Sequence, residues 1–252
     1  MNKNIGFRRS IYRSWLDAAA MLATETDDSA QLRAQLDPVV AARIDGKESQ
    51  RMALDILVKI WGTSRETNFP LRQEALKLWQ ISKSEDEHLW LHYGMILAQY
   101  PFFRLSVTTI GRMSQYTDTI TSKDLKSRLS AELGQLGSLD RAAERVIFSL
   151  RDWNILAPAA KQYTYTPRRQ AFRTEQKELQ LWLLSAALLA HPAEELPFSE
   201  LVRLPELFPF CLTIGVQDVR DSACFEVNRQ GMNWDMVALA AHIQGLKVGL
   251  HG

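Results

Sequence analysis

The stretch TSKDLKSRLSAELGQLGSLDRAAERVIFSLRDWNILAPAAKQYTYTP, residues 121–167, decides how the rest of the chain is read. Ile120 is a strand residue and Thr121 caps a helix on which Leu125, Leu129 and Leu133 recur every four positions, ending near Gly134. Gly137 and Ser138 form the next turn, and Ser138 or Asp140 caps a second helix over 139–153. On that helix Leu139, Ala143, Val146, Ile147 and Leu150 form the inward stripe, while Arg141 and Arg145 are neighbours on another face. Asn154 supplies a left-handed turn residue, Ile155 and Leu156 a short strand, 157–161 a loop, and 162–166 an alternating return strand that Pro167 stops. Helix, turn, helix and two-stranded ribbon, in that order, predict a winged helix-turn-helix unit.

Charge is distributed unevenly around this stretch. The chain of 252 residues has a net charge of only +1. Residues 1–13 hold Lys3, Arg8, Arg9 and Arg13 with no acid, and residues 14–119 hold 11 basic against 14 acidic side chains. Residues 120–173 hold ten basic against five acidic, a local net of +5, and residues 174–252 invert this with five against ten. A basic patch inside a near-neutral protein is what a polyanion site requires. Arg141 and Arg145 are the candidates nearest base edges, and Lys123, Lys126, Lys161, Arg168 and Arg169 the candidates for phosphates. The expected ligand is double-stranded DNA.

The flanks read as scaffold. Residues 1–9 lack periodicity and form an arm; Ser10 caps a helix to about residue 24. Helices follow over 29–36, from Pro38 to a stop at Gly46, over 48–61 and over 71–81. Ser84 with Glu87 makes a capping box for 85–100, a segment apolar nearly all round and therefore central, and Pro101 separates it from a helix over 102–116. Beyond a helix ending near Ala190, a short helix over 197–204, an ambiguous 209–220 and a hairpin over 223–239 with its turn at 228–231 suggest a second, acidic winged helix. The fold class expected is mainly α: a helical bundle, a winged helix-turn-helix unit and a helical tail with a β-hairpin. Three regions follow: 1–84, the basic arm and bundle; 85–173, the central helices and winged-helix unit; and 174–252, the acidic tail.

Other chemistry is poorly represented. There is no Gly-rich phosphate loop, G-x-S-x-G or H-E-x-x-H, and Cys211 and Cys224 make no CxxC pair, so no catalytic residue, cofactor or metal is expected. His88 and His92 have metal-ligand spacing near Glu85, but lack a third ligand and sit among aromatics. Asp218, Asp221 and Glu226 fit a solvated turn better than a nuclease centre. The longest apolar run, 179–190, is short of the roughly 20 residues that span a bilayer, and two cysteines without a partner pattern suit a reducing cytoplasm.

The run LWLHYGMILAQYPFFRLSVTTIGRM (89–113), then DLKSRL (124–129) and RAAERVIFSLRDWNIL (141–156), resembles BrxA, a family of small non-enzymatic proteins in BREX phage-resistance systems. The likeness covers most of the chain and is best over 88–156; the basic arm and the spacing of the tail depart from it. The resemblance implies an α-rich DNA-binding protein that works beside larger defence components such as a methyltransferase and an ATPase. It carries no individual contact residue, so the site residues rest on charge and helix face. A winged-helix transcriptional regulator and a protein-assembly adaptor using the acidic tail are the alternatives.

Overall fold

A computed structural model describes residues 6–63, 69–134, 136–230 and 234–244. Four helices, α1 (Arg13–Ala23), α2 (Ser29–Ala41), α3 (Lys47–Trp61) and α4 (Phe69–Ile81), form the front of the molecule against α5 (Glu85–Gln99). Every residue of α5 from Leu89 to Gln99 is buried, as its lack of a polar face requires. Ser84 Oγ accepts from the Glu87 amide, and the Glu87 carboxylate accepts from the Lys83 amide at 2.6 Å and more weakly from that of Ser84. The expected reciprocal cap is therefore present and extended to Lys83.

Four local expectations are corrected here. The segments 29–36 and 38–45 are not two helices: α2 runs through Pro38. The proline removes one amide donor, while Leu32, Leu36 and Val40 continue a buried stripe across it, and that packing outweighs the lost bond. Gly46 does not end this helix but precedes α3 as its N-cap, at φ +100°, a conformation open to glycine. Ser10 is not the cap of α1; Tyr12 holds that position with no side-chain cap, because the chain before it is extended and docked. Phe7 and Ile11 are fully buried, so residues 6–12 are docked on the core and are not a loose arm; residues 1–5 of the expected arm lie outside the described residues.

Behind the front lie two units of one topology. The first comprises α6 (Pro101–Ser114), β1 (Ile120–Thr121), α7 (Ser122–Leu133), α8 (Leu139–Asp152), β2 (Leu156–Pro158) and β3 (Thr164–Pro167). Its antiparallel sheet has the order β1-β3-β2, with Ile120 opposite Tyr165 and Leu156 opposite Pro167. Thr121 caps α7 by accepting from the Asp124 amide at 3.0 Å, and Asn154 takes φ +59° after α8. The ribbon strands sit one to two residues later than their expected positions. The amide of Ile155 still bonds back to Leu150, and a second left-handed residue, Tyr163 at φ +58°, belongs to the turn before β3.

The second unit repeats this order with α9 (Lys177–Ala190), β4 (Glu195–Pro197), α10 (Phe198–Leu201), α11 (Val216–Arg220), β5 (Phe225–Gln230) and β6 (Trp234–Leu239). Its sheet order, β4-β6-β5, is again first strand, last strand, middle strand. The tail thus forms a winged-helix topology of its own, with a 3-10 turn over Pro205–Leu207 inserted and α12 (Ala241–Gln244) following. The hairpin turn was expected at 228–231, but Asn228, Arg229 and Gln230 belong to β5; residues 231–233 lie outside the described residues.

The units are welded to each other and to α5. A Cβ on Gly94 would run into the Trp182 ring of α9, and one on Gly111 of α6 would collide with the Pro205 carbonyl. Glu206, 1% exposed, receives Arg104 Nε at 3.0 Å and Thr108 Oγ1 at 3.2 Å, while its carbonyl accepts from the Tyr93 hydroxyl. One continuous buried cluster runs from Phe7 to Ile243. No helix among the described residues is long and apolar enough to cross a membrane.

Candidate nucleic-acid interface

Helix α8 divides its surface into three. Leu139, Ala142, Ala143, Val146, Ile147 and Leu150 are buried against the unit's core. A second flank, Arg141, Arg145, Ser149 and Asp152, meets the N-terminal segment. The Ile11 amide donates to Ser149 Oγ at 2.9 Å, the Arg13 amide to Asp152 Oδ2 at 2.7 Å, and Trp153 Nε1 to the Ile11 carbonyl at 3.0 Å. The segment runs parallel to α8, with Ile11 at Ser149 and Arg13 at Asp152, so Arg9 arrives beside Arg145. Burial, and then the charges of Arg9 and Arg141, push the Arg145 guanidinium below its ordinary pKa. Among the described residues none of these three arginines has a carboxylate partner. Like charges left together and uncompensated make an anion site energetically plain.

The third flank of α8, with Asp140, Glu144, Phe148 and Arg151, closes a groove of about 730 Å³. The opposite wall is the first half of α7 (Ser122, Lys123, Lys126, Ser127 and Ser130), and Tyr163 and Tyr165 of the ribbon complete it. Lys126 Nζ meets Glu144 Oε1 at 2.5 Å across the groove, and the Arg151 guanidinium lies 5.5 Å from the centre of the Tyr165 ring. Thr121 at the start of α7 places the positive end of that helix dipole at the same opening.

The expected site residues fall into separate places. Arg141 and Arg145 lie together on the arm-facing flank, and Lys123 and Lys126 line the groove. Lys126 is engaged by Glu144. Lys161 is exposed in the ribbon turn and Arg168 is exposed just beyond β3. Arg169 turns the other way: its Nη1 donates to the Ser114 carbonyl at the end of α6 at 3.0 Å, so its head group caps a helix. Sequence reading missed Arg9, Phe148, Arg151 and Tyr163. The spacing of Asp140, Glu144, Phe148 and Arg151 along one helix face was available as a signal; the approach of Arg9 had none, since it arises from packing across 136 positions between residues 9 and 145.

The histidine pair lies elsewhere. His92 is fully buried and its Nε2 lies 2.9 Å from Asp17 Oδ1, while His88 stacks on Trp79 with ring centres 3.7 Å apart. Burial pushes both imidazoles below their usual pKa. Burial opposes ionisation of Asp17, but the His92 hydrogen bond and the charges of His92, Arg13 and His88 together hold its carboxyl below the usual range. With Nε2–H donating to Asp17, Nδ1 is a buried acceptor with no hydrogen-bond partner. No group of three or more metal-ligating side chains is placed to hold an ion among the described residues.

Fold and site together define a mainly α protein built on tandem winged-helix topologies, the first of them with an uncompensated basic flank. No family model, no curated protein and no solved structure matches this chain.

Proposed function

We propose that this chain is a non-enzymatic DNA-binding accessory protein that grips duplex DNA through α7, α8 and the β2–β3 ribbon. The observation that carries this reading is the group Arg9, Arg141 and Arg145, held together on α8 with no acid to neutralise it among the described residues. In winged-helix recognition the second helix of the motif enters the major groove and the ribbon lies along the backbone. Arg141 then stands nearest the base edges, where a guanidinium pairs bidentately with guanine, and Arg9 and Arg145 neutralise phosphates flanking it. Lys123 at the start of α7, Lys161 in the ribbon turn and Arg168 after it extend the phosphate track, and Lys126 joins by exchanging Glu144 for DNA. Arg169 contributes least, since its head group is already bound to Ser114.

The resemblance of residues 88–156 to BrxA supports a setting in bacterial phage defence, in the cytoplasm, with a methyltransferase or ATPase meeting the acidic second unit. The decisive measurement is fluorescence anisotropy of a labelled random duplex over a salt series. Arg141→Ala with Arg145→Ala is expected to weaken binding by about tenfold or more and to flatten the slope of log affinity against log salt by about 0.9 per lost phosphate contact, with helicity unchanged. Affinity that is unchanged in the double variant, or that is flat with salt in the parent, overturns the reading.

A further inference from the structure

The groove between α7, α8 and the ribbon has features that duplex binding does not use. Phe148 is 38% exposed and Tyr163 65% exposed, and both line it. The Phe148 ring and the Tyr163 backbone are both held in place. Phe148 is held edge-on by Tyr12 at 5.3 Å, and Tyr163 sits in a left-handed turn residue whose carbonyl accepts from the Ser122 amide at 2.9 Å. A tyrosine takes φ +58° at a cost, and here that conformation presents an apolar ring to solvent instead of to the core.

The rim and the interior of the groove differ in charge. Lys123 stands exposed at the rim and Arg151 rests on Tyr165, which leaves them free to meet phosphates. Asp140 and Glu144 project from the α8 wall; Glu144 is held by Lys126 Nζ, while Asp140 repels a phosphate that enters and accepts from an amino group that does. The groove volume, about 730 Å³, lies within the range of small-ligand sites. Bases inside a duplex cannot offer their faces to a side chain; unpaired ones can, and they stack on aromatics with little regard to sequence.

The geometry points to a second mode of binding at this groove: unpaired nucleotides of a DNA bulge, fork or frayed end, with a base stacked on Tyr163 and Phe148 and its phosphate on Lys123 or Arg151. Asp140, which has no cation on it among the described residues, favours bases with an exocyclic amine (adenine, cytosine or guanine) over thymine, which has none. This inference rests on the reading of the chain as DNA-binding and adds the structure of the DNA to it.

The test uses the full chain and three labelled DNAs: a fully paired duplex, the same duplex interrupted by a short run of unpaired adenines, and one interrupted by thymines. The expected result is about tenfold tighter binding of the adenine-interrupted duplex than of the paired one, with thymine intermediate. Tyr163→Ala is expected to erase that preference, and Tyr163→Phe, which keeps the ring, to retain it. A fluorescent adenine analogue in the unpaired run should be quenched by the parent and not by Tyr163→Ala. Equal affinity for paired and interrupted duplexes, or a preference that survives Tyr163→Ala, overturns the groove inference while duplex binding stands. Absence of binding to all three DNAs overturns both.

Discussion

The two winged-helix units share a topology and differ in what their charges face. In the first, α7 and α8 have 12 and 14 residues, and the arginines on α8 have no acid partner among the described residues. In the second, the corresponding helices shrink to four and five residues, and α11 is neutralised locally. Asp218 accepts from Lys177 Nζ and from the Gly215 amide, both at close range, and Arg220 meets Asp235 at 2.5 Å. The Lys177 hydrogen bond, then that of the Gly215 amide, holds the Asp218 carboxyl below its usual pKa. Topology alone therefore does not mark a binding surface. What separates the units is whether their charges are satisfied at home.

The largest effect on this arrangement is expected where the units are joined. Gly111→Ala forces a methyl group against the backbone of Pro205, which cannot swing aside as a side chain can. A loss of about 3 kcal/mol of stability is expected by denaturant titration; a loss under about 1 kcal/mol would show that α6 and the Pro205 turn part easily. Next comes Arg104→Met, which strands the Glu206 carboxylate in the core. It should cost about 3 kcal/mol and be largely relieved by adding Glu206→Gln, since the penalty is a buried charge without a partner. Equal damage in the single and double variants would assign the effect to packing instead.

Acid should act on the front of the molecule, outside both units. His88 and His92 have folded pKa values below the unfolded value of about 6.5, so the unfolded chain takes up protons first as pH falls and stability declines from about pH 6.5 downward. Asp17, also depressed, adds a further loss below about pH 4. Thermal melting across that range checks both, and His92→Gln should flatten the upper part of the profile. The smallest effect is expected from Arg220→Ala. Breaking a half-exposed pair in the second unit should change stability by about 0.5 kcal/mol and leave DNA affinity untouched. A matching loss of affinity would give the second unit a place on DNA and remove the contrast drawn between the two.

Features encoded by neighbours in the chain were legible, and those made by distant neighbours were not. The Thr121 cap, the left-handed Asn154, the buried α5 and the Ser84–Glu87 box each depend on a few adjacent residues. Pro38 misled because its local preference is to start a helix, while Leu32, Leu36 and Val40 continue one. The second unit was legible in the helix ending at Ala190, the short helix over 197–204 and the hairpin, but α11 was left ambiguous because five residues are too short to show a period of 3.6, and β4 is three residues ending in proline. At the site, the charge of α7, α8 and the ribbon was plain in composition. The partition of that charge into an arm-facing cluster and an aromatic groove was not, because docking of residues 6–12 sets it.

That docking also has a temporal side. Ile11 bonds to residues 138 and 142 positions further on, so the segment cannot seat until α8 has emerged and folded. Closing so long a loop is a late, entropically costly step whose expense grows only slowly with length. Until then Arg141 and Arg145 present their charge without Arg9 beside them.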